Sequence, residues 1–79
     1  MKYKKGDRVV ALFLKSPKDR QEYYGIVYNI DDIKNEFLID WYRRKDESYV
    51  DSSRNSERDL EFEATYMRNE KLEQLLGID

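Results

Sequence analysis

Cysteine and histidine are both absent from the 79 residues. The first absence excludes a disulfide framework and thiolate metal sites. A chain this short must then hold its fold by core packing alone, as expected in a reducing interior. Together the two absences remove the general base nearest neutral pH and the strongest nucleophile. Glycine occurs three times, at Gly6, Gly25 and Gly77, too far apart for a phosphate-cradling loop. The acidic residues Asp31-Asp32, Asp40 and Asp46-Glu47 lack the spacing of a calcium-binding loop. No apolar run approaches the roughly 18 residues of a membrane span. The basic opening Met1-Lys2-Tyr3-Lys4-Lys5 lacks the apolar stretch of a signal peptide. The expectation is an intracellular, cytoplasmic protein with no catalytic residues, no metal ligands and no small-molecule cofactor.

Charge and aromatic side chains are abundant instead. Charged residues make up 41% of the chain and aromatics 14%, with seven tyrosines, three phenylalanines and one tryptophan. So much charge would suit a disordered chain, but the apolar residues are clustered, in Val9–Leu14, Tyr23–Ile30 and Phe37–Tyr42. That pattern argues for one small β-rich core with a solvated exterior. The net charge of −2 is unevenly spread: residues 1–25 hold seven Lys/Arg against three Asp/Glu, and residues 26–79 hold eight against fourteen. A pI near 5.2 disfavours sequence-independent DNA binding, which leaves a clear basic footprint.

Gly6-Asp7 opens a β-branched and aromatic run, a strand over 8–14. The stretch Lys15–Glu22 contains the only proline and reads as a loop. Further strands are expected over 23–30, 36–42 and 48–51, with a polar loop at Ser52–Ser56. Gly25 marks a bulge or a close backbone approach inside the second strand. Alternation places Phe37, Ile39 and Trp41 on one face of the third strand and Leu38, Asp40 and Tyr42 on the other. Residues 57–63 admit two readings: a helix start at Ser56-Glu57-Arg58-Asp59, or a short fifth strand at 59–62, which is preferred. A helix over 64–76, ended by Gly77, puts Met67, Leu72, Leu75 and Leu76 near one stripe. The three leucines are expected to cover one opening of the barrel.

The order and spacing of these pieces resemble the Tudor domain, a small SH3-like barrel. Lys5-Gly6-Asp7-Arg8-Val9-Val10-Ala11 is similar to its first strand, Tyr23–Asp31 to its second, Phe37-Leu38-Ile39-Asp40-Trp41 to its third, and Asp59-Leu60 to its close. The likeness covers roughly residues 4–61. It implies an all-β fold with a C-terminal helix: a five-stranded SH3-like, Tudor-like barrel over residues 1–62 and a helical extension over 63–79. It also implies an aromatic cage for a methylated Lys or Arg side chain, with Phe13, Tyr23 and Trp41 in three positions. The fourth position, usually aromatic, falls near Arg44, which leaves Tyr42 and Tyr49 as substitutes.

The expected function is a non-catalytic binding module for a protein or single-stranded nucleic-acid component of gene-expression or DNA-handling machinery. The start of the second strand and the end of the third meet at one end of an antiparallel pair. Tyr23, Trp41 and Tyr42, with Arg43 and Arg44, are therefore expected on one aromatic and basic rim. The alternatives are a reader of methylated Lys/Arg peptides and a small acidic, phage-type inhibitor that mimics nucleic acid.

Overall fold

Two bends in the hydrogen-bond ladder shape this molecule. The computed structural model describes residues 2–75, with side chains to residue 72. The elements run β1 (Arg8–Ala11), α1 (Pro17–Glu22), β2 (Tyr23–Asp31), β3 (Glu36–Arg43), β4 (Tyr49–Asn55), a 3-10 turn (Glu57–Asp59), β5 (Leu60–Phe62) and α2 (Glu63–Leu75). Among the described residues the strands form one five-stranded antiparallel sheet in the order β4-β3-β2-β1-β5. The sheet is not closed, and β4 and β5 are its edges. The β2–β3 register shifts between Val27 and Asn29, leaving Tyr28 unopposed, and the β3–β4 register shifts between Trp41 and Tyr42, leaving Val50 unopposed. Such extra residues bend a strand and sharpen its twist.

One face of the bent sheet holds the core. Tyr3, Val9, Ala11, Val27, Phe37, Ile39, Trp41 and Leu60 form a single buried cluster, with Leu14, Ile30 and Phe62 packed against it. Tyr3, ahead of β1, meets Phe37 edge-on at 5.1 Å and Phe62 at 4.7 Å. The chain reaches β1 through Gly6, whose φ of +93° suits a residue without a Cβ. On the opposite face, α2 packs against β1 and β5. Its first residue, Glu63, binds Arg8 of β1 at 3.0 Å and Arg44 at 2.9 Å.

The stretch expected as a loop over 15–22 contains α1. Ser16 caps it, accepting from the backbone N–H of Lys18 and Asp19, and Pro17 stands in the first turn, where its missing N–H costs nothing. β1 ends at Ala11, short of the expected Leu14, and β4 continues to Asn55 through residues expected as loop. At 57–63 both readings have a share, since a 3-10 turn precedes the short β5. Leu72 is half-exposed rather than a cover for the core, and Leu76 and the side chain of Leu75 lie outside the described residues. No helix among the described residues is long and apolar enough to cross a membrane.

Candidate binding pocket

The two ends of α1 meet the sheet beside the end of β3, and an aromatic pocket opens there. Phe13 sits on the turn between β1 and α1. That turn is fastened by the Leu12 N–H to the Asp59 carbonyl at 2.8 Å. The Arg20 guanidinium, reaching back from α1, donates to the carbonyls of Leu12 and Leu14. Phe13 is thereby held out from the core, 49% exposed, with its ring edge-on to Trp41 at 6.0 Å and 87°. Tyr23, the first residue of β2, supplies a second wall.

Trp41 is the inner wall and is only 8% exposed. Its partner on β2 is Gly25 and its partner on β4 is Asp51. The indole lies over Gly25: a Cβ there would stand 2.7 and 2.8 Å from its ring carbons and closer still to the Ile39 methyl. The indole N–H donates to Ser53 Oγ at 2.7 Å, so the ring is fixed in orientation and its polar atom is satisfied. Ala11 and Leu14 complete the floor, and Val50 and Asp51 of β4 form the outer lip. The volume is about 150 Å³. A cavity of that order takes a group the size of a small ring, well below the 300–1,000 Å³ or so of sites for drug-sized molecules.

Phe13, Tyr23 and Trp41 thus come together. Tyr42, Arg43 and Arg44 do not join them. Tyr42 lies on the other face of β3, stacked on Tyr24 at 5.5 Å and 20° and edge-on to Tyr49 at 5.9 Å. Arg43 is exposed, and its backbone closes the β3–β4 hairpin through bonds with Ser48 and Glu47. Arg44 donates to the carbonyls of Gln21 and Tyr23, pairs with Glu63 and stands 5.5 Å from the Tyr24 ring centre. Arg8 covers the same ring at 4.0 Å. The single aromatic and basic rim expected from adjacency is therefore two surfaces. Arg44, expected near the fourth cage position, pairs its charge with Glu63 instead.

Sequence reasoning missed Val50 and Asp51. Neighbours on a regular strand point to opposite faces; both reach the pocket here because Val50 is the extra residue of the bulge. The lining of the pocket itself is apolar, and Asp51 carries its carboxylate at the rim. Its Oδ1 accepts the Ser52 backbone N–H at 2.8 Å, and among the described residues no lysine or arginine lies within ion-pair distance of it. Three ring systems around a small apolar pocket, with an unneutralised carboxylate at its rim, suit a cation with apolar groups attached. Comparisons of the chain with protein-family models, with curated proteins and with solved structures return no match.

Proposed function

We propose that the chain is a non-catalytic binding module that holds a cationic side chain of a protein partner, a methylated Lys or Arg, in the pocket of Phe13, Tyr23 and Trp41. The observation that carries this reading is the convergence of those three rings around about 150 Å³, with the Asp51 side chain at the rim. A five-stranded order in which the last strand returns to the first, bent by two bulges, supports a partly open, Tudor-like SH3-like barrel as the frame. A partner in gene-expression or DNA-handling machinery follows from the Tudor resemblance alone. Protein is favoured over single-stranded nucleic acid because Arg8 and Arg44 are engaged by Glu63, while the free charge at the pocket is negative.

The test is titration with tetramethylammonium chloride and with N-acetyl-trimethyllysine amide, read at the Trp41 indole by NMR. Saturable shifts are expected for both, and Phe13→Ala should weaken binding about 2- to 5-fold, the loss of one cation–π wall of roughly 0.5–1 kcal/mol. Affinity should fall only gently with salt. If Trp41 is unmoved while an oligonucleotide shifts Tyr42 and Arg43 with a steep salt dependence, the nucleic-acid surface replaces this reading.

A further inference from the structure

The pocket lies one strand in from an open sheet edge. Among the described residues β4 pairs with β3 alone, and no other described strand lies beside its backbone. In an antiparallel ladder alternate residues turn both N–H and C=O away from the partner strand. Ser52 is such a residue: its N–H is taken by the Asp51 carboxylate rather than by β3. By alternation Arg54 is another. On the pocket side of the sheet, β4 presents Asp51, Ser53 and Asn55 opposite Trp41, Ile39 and Phe37.

A strand added beyond β4 would lie about 5 Å from it and about 10 Å from β3. Its residue opposite Asp51 would point to the pocket side, in line with Asp51 and Trp41. Only a long side chain spans toward the rings, and a four-carbon stem ending in an ammonium reaches about 6 Å from its Cα, past Asp51 to the lip of the pocket. Length and charge thus select the same side chains, Lys and Arg. The bulge at Val50 ends the regular edge there, so the pairing segment is Asp51–Asn55.

We propose that the partner is engaged as an extended segment added antiparallel or parallel to β4, with a Lys or Arg opposite Asp51 directed into the aromatic pocket. This rests on the function proposed above and adds to it the way the partner's backbone is held. The Asp51 carboxylate changes role on binding: it releases the Ser52 N–H, which takes a carbonyl of the incoming segment, and turns to the guest cation. A second copy of this chain fits the edge poorly. Pairing β4 with its own copy brings only Asp51, Ser53 and Asn55 to the pocket side, with no cation among them. Arg54 lies on the other side, bonded to Asp31 at 2.9 Å.

The test compares three probes: an end-capped nine-residue Ser/Thr/Val peptide with a central trimethyllysine, the same peptide with alternate backbone amides N-methylated, and N-acetyl-trimethyllysine amide. The first should bind at least tenfold tighter than the other two and shift the Ser52 and Arg54 amides. Asp51→Asn, which keeps an acceptor for the Ser52 N–H but not the charge, should weaken it several-fold without moving the melting temperature. Equal affinities with the β4 amides unmoved, while Trp41 responds to all three probes, overturn the added strand and leave the pocket standing. No response of Trp41 to any probe overturns both. Concentration-dependent dimerisation that shifts the β4 amides assigns the edge to a second copy, and also overturns the proposal.

Discussion

Position 25 is glycine because an indole lies on it. The space a Cβ would need is filled by Trp41 ring carbons at 2.7 and 2.8 Å and by the Ile39 methyl. Neither neighbour is the free end of a flexible chain, so Gly25→Ala must displace the ring that forms the pocket's inner wall. A loss of about 1–3 kcal/mol is expected, the usual cost of an overpacked core, seen as a lower urea midpoint together with a red-shifted Trp41 emission. Tyr3 shows the opposite situation, a polar atom where none is needed. Its ring is 1% exposed and its hydroxyl has no hydrogen-bond partner among the described residues. Burial, then the charges of Glu61, Glu57 and Asp7, push its pKa up to about 12. A pKa raised on folding gives stability that is whole below the unfolded value, about 10, and lost as pH climbs from there through 12. Tyr3→Phe should therefore match or exceed the parent at pH 8, within about 1 kcal/mol. It should also lose less stability between pH 10 and 12. A variant less stable than the parent by clearly more than about 1 kcal/mol at pH 8 would show that the hydroxyl is bonded after all.

The helix α2 is joined to the sheet through its first residue. Burial raises the pKa of Glu63, but hydrogen bonds and charge from Arg8 and Arg44 outweigh it, and the net shift is downward. A lowered pKa contributes stability that is present above the unfolded value and lost as pH falls through the folded one. Glu63→Gln should cost about 1 kcal/mol at pH 7, discounted because Arg8 and Arg44 are partly solvated. The gap between the two melting curves should begin to close as pH falls past the unfolded value of about 4.3 and vanish in stronger acid, and a gap that persists there would mean that shape rather than charge holds α2. The elements differ in how readily the sequence declares them. β2 and β3 are announced by β-branched and aromatic residues in alternation. The later half of β4, Ser52-Ser53-Arg54-Asn55, carries no such signal and is a strand because β3 offers it a ladder. The helix α1 is six residues long, below what propensity alone sustains, and depends on the Ser16 cap and the Arg20 anchor. At the pocket, Tyr23 and Trp41 are legible from the order of the strands, and Phe13 only through the Tudor resemblance. Tyr42 was assigned to the same rim by adjacency, although the two-residue alternation along β3 already put it on the other face. Val50 and Asp51 were not legible, because nothing in Tyr49-Val50-Asp51 marks which residue the ladder will skip.

At the scale of the whole molecule, every strand but the last pairs with a near neighbour in the chain. β1 meets β2, β2 meets β3 and β3 meets β4 through short connections, whereas β5 crosses back to β1, matching Val9 with Phe62 and Ala11 with Leu60. Its two edges are guarded differently: β5 is three residues long and lies against α2, while β4 carries a bulge and the Asp51 bond to Ser52. Both devices discourage unplanned pairing. The long-range seam between β1 and β5 also sets the timing of birth. Bringing distant segments together carries a loop-closure cost that local hairpins do not, so the four-strand meander is expected to assemble before the seam. On a ribosome the seam cannot begin until Phe62 has left the exit tunnel. Throughout that interval Val9 and Ala11 lack the Phe62 and Leu60 they pair with, and Tyr3 lacks the Phe62 ring it rests on.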